Sequence, residues 1–296
     1  MTRHDFRLRS EADGIDLACY RWLAPDGAVG IVQIAHGMGE HTLRYTDFAN
    51  FLNDAGFHVY ANDHRGHGRT AASRELLGNF GRAGWDGLVA DMVQLTHYSR
   101  AEYPRLPIVL FGHSMGSFAA QQYILDHSDL VAGVILSGSA SLDRLTVRDV
   151  SPGESEKPAD LTALNRDFEP ARTPFDWLSR DPSEVDKYIA DPLCGFGVDA
   201  RARASMAAGG ARTINPAEIA RIRKDLPIYI VAGDKDPVNH HLEWLRPLGE
   251  RYRAAGITKV VEKFYPDGRH EMLNEINRAE VMNEILAWLR RTVAQD

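Results

Sequence analysis

Short apolar runs that alternate with amphipathic stretches constrain this chain more than any other feature. The runs are rich in Val and Ile and show no strict alternation of apolar and polar residues, which is typical of buried parallel strands. We predict strands at Gly30–Ala35, Phe57–Ala61, Pro107–Phe111, Val131–Ser137, Pro227–Ala232 and Lys259–Phe264. The helical patterns lie at Tyr45–Ala55, Trp85–Tyr103, Met115–His127, His240–Ala255 and Arg278–Val293. This alternation predicts the α/β class, a mostly parallel sheet with helices on both faces.

The alternation stops after Ser139 and resumes at Pro227. Between residues 152 and 216 the chain holds half of its 14 prolines and shows no clear strand. We therefore predict one α/β core, formed by residues 1–140 and 216–296, with residues 141–215 inserted as a mostly helical cap, or lid. Two runs near the start, Asp5–Arg9 and Asp16–Trp22, are predicted to pair as an antiparallel edge of the sheet.

Composition excludes several classes of protein. The 296 residues include 44% hydrophobic and 25% charged residues, an ordinary globular balance, and the formal net charge is −7. The negative charge argues against a nucleic-acid partner and against general attachment to anionic lipid. No apolar run reaches the roughly 20 residues of a transmembrane helix, and the first 14 residues lack the apolar region of a signal peptide. We expect a cytoplasmic protein that makes at most transient contact with a lipid interface, and two free thiols, Cys19 and Cys194.

A Gly-x-Ser-x-Gly motif spans Gly112–Gly116, directly between a predicted strand and a predicted helix. Such a turn holds its serine in a strained backbone conformation, and the flanking glycines remove Cβ atoms that would clash there. The helix that begins at Met115 directs its N–H groups toward a developing oxyanion. The motif and its context predict that Ser114 is a nucleophile.

A serine nucleophile needs a histidine base, and the base needs a carboxylate to orient it. His270 lies in a loop after a predicted strand, at the edge where parallel sheets hold their ligands. The other histidines after Ser114 lie on or beside predicted helices: His127, His240 and His241. Asp234 and Asp236 both follow the strand Pro227–Ala232, and spacing alone leaves both open as the acid.

Together these motifs resemble those of the α/β-hydrolase family of monoacylglycerol lipases and lysophospholipases. The matching segments, in chain order, are Ala35-His36-Gly37-Met38-Gly39-Glu40-His41, Asp63-His64-Arg65-Gly66-His67-Gly68, Gly112–Gly116, Gly233-x-x-Asp236 and His270. The resemblance implies the α/β-hydrolase fold and a serine carboxylester hydrolase acting through an acyl-enzyme. Its implied substrates are monoacyl lipid-like esters, such as a monoacylglycerol or a lysophospholipid, or smaller esters. It also implies Asp236 as the acid and the backbone N–H groups of Met38 and Met115 as the oxyanion hole.

His64 and His67 have a spacing that metal ligands can show, but no convergent set of acids accompanies them. The resemblance implies instead that this loop is structural. No dinucleotide fingerprint follows a strand, and no P-loop is present. We expect neither a metal nor a cofactor.

Substrate choice falls to the predicted cap. Its apolar residues are candidates to line an acyl tunnel: Phe168, Phe175, Trp177, Leu178, Tyr188, Ile189, Leu193, Phe196 and Met206. As substrate contacts we single out Phe175, Trp177, Cys194 and Phe196. Two alternatives stay open: a ligand-binding receptor that retains the triad, and a peptidase or amidase on the same fold. The peptidase needs an acidic anchor for a free amine, for which the candidates are Glu154, Glu156 and Asp160.

Overall fold

A computed structural model describes residues 3–25, 27–143 and 158–294 of the chain. Eight strands form one sheet in the order β1-β2-β4-β3-β5-β6-β7-β8. Their bounds are β1 Arg3–Arg9, β2 Asp16–Trp22, β3 Gly30–Ala35, β4 Phe57–Asn62, β5 Ile108–His113, β6 Gly133–Ser137, β7 Ile228–Gly233 and β8 Val260–Tyr265. Strands β3 to β8 pair in parallel, whereas β1 pairs with β2, and β2 with β4, in antiparallel fashion. The predicted class, a mostly parallel sheet with an antiparallel edge, is confirmed.

Helices connect the strands. The α-helices are α1 Thr46–Asp54, α2 Gly84–Glu102, α3 Met115–His127, α4 Pro182–Ala190, α5 Ala200–Thr213, α6 Pro216–Ile219, α7 Arg246–Ala254 and α8 Arg278–Val293. Short 3₁₀ helices lie at Thr42–Tyr45, Arg74–Leu76, Ser128–Leu130, Leu161–Phe168, Asp176–Leu178 and Met272–Asn274. Among the described residues, no helix combines the length and the apolar character needed to cross a bilayer.

The central strands bury side chains on both faces of the sheet. In β5, Ile108 and Leu110 pack into the core shared with α2, α3 and α7, while Val109 and Phe111 pack into the core shared with α1 and α8. Every residue of β3, β4, β5, β6 and β7 is buried. Continuous apolar runs in the sequence reflect these two cores, because neither face of these strands meets water.

The described residues 158–219, which lie between β6 and β7, carry α4, α5, α6 and two 3₁₀ helices but no strand. We call this segment the insertion. It is tied to the core by backbone hydrogen bonds, among them Gly195 N–H to the Gly39 carbonyl at 3.0 Å and Glu271 N–H to the Leu178 carbonyl at 2.8 Å. The division of the chain into a core and a cap that covers the site stays a prediction.

One predicted helix begins later than expected. The pattern predicted a helix from His240, but α7 starts at Arg246. His240, His241 and Leu242 have φ values of 52°, 55° and 74°, a left-handed conformation that cannot continue a right-handed helix. Pro247 in the first turn of α7 marks the actual start, because proline fits the first helical positions without losing a hydrogen bond.

Candidate active site

Ser114 lies on a sharp turn between β5 and α3. Its backbone has φ 51° and ψ −121°, a conformation that residues with a Cβ rarely adopt. A Cβ on Gly112 would come within 2.6 Å of the Gly116 carbonyl oxygen, and one on Gly116 within 2.1 Å of the Ala35 carbonyl oxygen. Both glycines of the motif are therefore required by space, and the strand–turn–helix context expected from the sequence is present.

The loop after β3 lies against this turn. A Cβ on Gly37 would stand 3.2 Å from the Ser114 Cβ. Glu40 holds the loop closed, since its carboxylate accepts hydrogen bonds from the Gly37 N–H at 2.5 Å and the Tyr45 hydroxyl at 2.7 Å. The backbone of Met38 is thereby fixed beside Ser114, and both Met38 and Met115 border the same cavity as the serine.

His270 and Asp236 form a buried pair. Asp236 Oδ2 lies 2.9 Å from His270 Nδ1, and the two side chains are 0% and 2% exposed. Because a carboxylate only accepts, Nδ1 carries the proton and Nε2 is left with its lone pair. The Val238 N–H and the Asn239 side-chain amide also donate to the carboxylate, at 2.9 and 3.0 Å, and lock its orientation.

The structure separates the two candidate acids. Asp234 is half-buried, and its carboxylate accepts the N–H of Asp267 at 2.8 Å, the ordinary role of an aspartate in a turn. Asp236 alone of the two contacts His270. The remaining histidines lie elsewhere: His240 stacks on Trp244, His241 pairs with Asp167, and His127 packs against Tyr123.

Charge adjusts the basicity of two neighbouring histidines in opposite directions. Burial disfavours the protonated form of His270, but the Asp236 carboxylate outweighs burial, so the pKa of His270 is raised above its ordinary value of 6.5. His113, whose ring centre lies 4.7 Å from that of His270, has no such partner. Burial first, and then the charge of His270, lower the pKa of His113 to about 4. His113 is therefore neutral at pH 7, and of the two histidines only His270 has the carboxylate partner that a base of this kind needs.

A cavity of about 420 Å³ opens in front of Ser114 and His270. Its polar end carries Glu40, His113 and Glu271 beside the serine. The rest of its wall is mostly apolar and includes Phe118, Leu142, Leu161, Leu164, Trp177, Leu178, Met206, Val238 and Trp244. The cavity thus joins a polar end at the candidate nucleophile to an apolar channel between core and insertion.

Four predicted acyl-tunnel residues line this cavity: Trp177, Leu178, Tyr188 and Met206. Of the four residues singled out as substrate contacts, only Trp177 lines the cavity, and its ring centre lies 5.0 Å from that of His270. The others have different neighbours in the described structure: Phe175 packs on Tyr188, Phe196 packs on His67, and Cys194 lies beside His41 and Asp191. Apolar character predicts burial, but it does not predict which apolar surface a side chain meets.

Several lining residues were missed in the sequence. Phe118 is one helical turn after Ser114 on α3, and that spacing was a usable signal. Leu161 and Leu164 come from a 3₁₀ helix that no sequence pattern indicated. Arg203, on α5, also borders the cavity.

The Asp63–Gly68 loop is packed into the fold. His36 Nε2 accepts the His64 N–H at 2.9 Å, and the rings of His36 and His64 lie 4.3 Å apart. Arg65 is fully buried between Asp13 and Asp91, at 3.0 and 2.9 Å. These contacts brace the loop beside the site, and burial lowers the pKa of His64 and His67 so that both are neutral.

The chain matches known proteins along nearly its whole length. A family model described as serine aminopeptidase, S33, matches residues 26–277. The monoacylglycerol lipase of Mycolicibacterium smegmatis is 29% identical over 285 residues, which cover 93% of each chain. The monoglyceride lipase of Rattus norvegicus is 28% identical over 287 residues, covering 96% of this chain and 89% of that protein. A highly thermostable carboxyl esterase from Bacillus coagulans superposes with a TM-score of 0.86 at 29% identity over 99% of each chain.

Proposed function

We propose that this chain, which belongs to the α/β-hydrolase family described as serine aminopeptidase, S33, is a serine carboxylester hydrolase with Ser114, His270 and Asp236 as its triad. The predicted likeness to monoacylglycerol lipases is confirmed by the nearly full-length matches. The observation that carries the proposal is that the strained Ser114 turn and His270, which pairs with the buried Asp236, face one largely apolar cavity.

The reaction follows from the positions of these groups. His270 Nε2 takes the Ser114 proton as Oγ attacks the ester carbonyl carbon, and Asp236 stabilises the imidazolium that forms. The backbone N–H groups of Met38 and Met115 donate to the resulting oxyanion, and one such donor typically lowers the barrier by about 3–4 kcal/mol. His270 then protonates the departing alcohol, and the acyl group remains bonded to Ser114. Water, deprotonated by the same histidine, releases the acid.

The cavity supports a monoacyl ester as substrate. An acyl chain would occupy the apolar channel past Phe118 and Met206, while the alcohol would face the polar end at Glu40 and Glu271. A chain buried along apolar side chains gains roughly 0.8 kcal/mol per CH₂. The kcat/KM for esters should therefore rise with each methylene added to the acyl chain until the channel is filled.

A peptidase is the competing function within this family. It would need an unpaired carboxylate to hold the amine, but both carboxylates at the polar end, Glu40 and Glu271, bind Arg44 at 2.7 and 2.6 Å. Asp160 accepts from Thr162 in its own turn. Glu154 and Glu156 lie outside the described residues. The contacts of the described acids thus favour an ester substrate.

Steady-state hydrolysis separates these functions. Wild type, Ser114→Ala and the control Ser73→Ala, an exposed serine away from the cavity, are assayed on p-nitrophenyl esters from acetate to palmitate, on monoacylglycerols, and on prolyl and other aminoacyl amides. We expect multiple turnover on esters in wild type and Ser73→Ala, none in Ser114→Ala, and the highest kcat/KM on a mid- or long-chain ester. Turnover confined to amides, or a single turnover on every ester, would show the proposal to be wrong.

A further inference from the structure

A cluster of three potential metal ligands lies outside the candidate active site. His41 Nε2, a carboxylate oxygen of Asp191 and Cys194 Sγ all lie within 4.8 Å of one another. His41 follows the loop that carries Met38, whereas Asp191 and Cys194 belong to the turn that follows α4 in the insertion. No sequence motif connects the three, because 150 positions separate His41 from Asp191.

Hydrogen bonds hold the turn of Asp191 and Cys194 against the loop that precedes His41. Asp191 Oδ1 accepts the Leu193 N–H at 2.8 Å, and the Asp191 carbonyl accepts the Cys194 N–H at 3.0 Å. The Gly195 N–H then bonds the Gly39 carbonyl at 3.0 Å and fixes this turn against the loop of His41. The other carboxylate oxygen of Asp191 accepts a hydrogen bond from His41 Nε2 at 2.9 Å, and a cation bound by both atoms replaces the proton between them.

The chemistry of the three groups suits a divalent transition cation. Imidazole nitrogen, thiolate sulfur and carboxylate oxygen are the donors that bind Zn²⁺ in proteins, at about 2.0 to 2.3 Å. In a tetrahedral site such donors stand roughly 3.2 to 3.8 Å apart. The three ligand atoms lie within 4.8 Å of one another, and the His41–Asp191 pair, at 2.9 Å, has to open slightly. Three protein ligands leave one position for water.

The electrostatic surroundings also favour a cation. Two positive side chains lie near the cluster: Arg44, which is shared by Glu40 and Glu271, and Arg74, which donates to the Pro192 carbonyl at 3.4 Å. Together with Asp191, these groups sum to a negative charge around the cluster. Burial raises the pKa of the Cys194 thiol, so the metal has to displace the thiol proton, as it does at other cysteine sites.

Solvent reaches the cluster. His41 and Asp191 line a second cavity, of about 640 Å³, and the Asp191 side chain is 31% exposed. We infer that His41, Asp191 and Cys194 form a binding site for Zn²⁺ or a similar soft divalent cation. The bound ion cross-links the turn after α4 to the loop that carries Met38. This inference does not depend on the proposed ester hydrolysis, and it concerns residues outside the loop for which the sequence raised the metal question.

Cobalt spectroscopy tests the site directly, with tag-free protein cleared of metal by a chelator. Co²⁺ bound to a thiolate gives a charge-transfer band in the near ultraviolet, and Zn²⁺ should abolish that band at one equivalent. We expect the band in wild type and in Cys19→Ala, because Cys19 is buried in β2 away from the cluster. We expect none in Cys194→Ala. Asp191→Asn, which keeps the acceptor for Leu193, should weaken Co²⁺ binding at least tenfold.

A band absent from wild type, retained in Cys194→Ala, or lost in Cys19→Ala would overturn the assignment. A second measurement tests the cross-link: Zn²⁺ should raise the Tm of wild type and Cys19→Ala but not that of Cys194→Ala. An unchanged Tm with one equivalent bound would refute the cross-link. Because neither readout uses an ester, failure here leaves the proposed hydrolase unaffected, and loss of ester turnover would leave the metal site unaffected.

Discussion

Replacing Asp236 with Asn should slow ester hydrolysis by about three orders of magnitude while the fold survives. The substitution keeps the shape of the side chain and its acceptor for the Val238 N–H. It removes the negative charge that lies 2.9 Å from His270 Nδ1 in a pair shielded from water. That charge matters most when His270 becomes an imidazolium, and therefore in the transition state more than in the resting enzyme.

The magnitude follows from Coulomb's law. Two unit charges about 4 Å apart attract by about 4 kcal/mol at an effective dielectric constant near 20. Since each 1.36 kcal/mol is a factor of ten in rate, the loss corresponds to roughly 10³ in kcat. The amide also favours the wrong tautomer of His270, which acts in the same direction. KM should change little, because Asp236 does not line the cavity.

The assay measures kcat and KM on one ester for wild type, Asp236→Asn and Asp234→Asn. Asp234→Asn is the matched control, because it makes the same chemical change two residues away, at a carboxylate that only stabilises a turn. We expect the control to retain at least half of the wild-type kcat, and both variants to have Tm values close to that of wild type. A loss below tenfold in Asp236→Asn, or equal losses in the two variants, would refute the electrostatic argument.

Four further predictions follow from individual side chains. Neutral His270 is the active form, and Asp236 raises its pKa above 6.5, so kcat/KM should reach its maximum at high pH and fall as the pH drops through that pKa. In Asp236→Asn this fall in kcat/KM should move to lower pH, which pH–rate profiles of the two proteins will show. Ser114→Gly and Ser114→Ala should both lose multiple turnover, but the glycine variant should have the higher Tm, because it relieves a φ of 51° that costs on the order of 1–3 kcal/mol. Gly116→Ala should not give soluble protein, since its Cβ would lie 2.1 Å from a carbonyl oxygen, and the soluble fraction of expression lysates, compared with that of wild type, checks this. Arg65→Met should lower the free energy of unfolding in urea by about 3–5 kcal/mol, because it leaves two buried carboxylates unpaired.

Sequence patterns were sufficient for the strands of the core. The run Gly30–Ala35 coincides with β3, and the other predicted strands of the parallel sheet differ from the observed ones by at most two residues at either end. Strands β3 to β7 are buried on both faces, so their apolar runs leave little freedom of interpretation. The predicted start of α7 was six residues too early, because the left-handed backbone at His240–Leu242 leaves no signature in hydrophobic periodicity.

The candidate site also had one part that the sequence could indicate and one part that depends on tertiary contacts. Ser114 and His270 could be proposed from the sequence because their positions, at a strand–helix turn and in a loop after a strand, have local signatures. The choice between Asp234 and Asp236 rested on family resemblance, since two carboxylates two residues apart differ only in their tertiary partners. The cavity wall was predictable only in part. Leu161 and Trp177 line it because of how the insertion folds over the sheet, which depends on contacts between distant parts of the chain.

The contacts between the insertion and the core have a consequence for protein engineering. At one side the insertion bonds the backbone of Gly39, and at the other its Trp177 and Leu178 carbonyls accept the N–H groups of His270 and Glu271. A chimera that imports only the insertion of a homologue would break the supports of the loops that carry Met38 and His270. Recombination breakpoints should instead fall inside β3 and inside α8, so that both loops travel with the insertion that holds them.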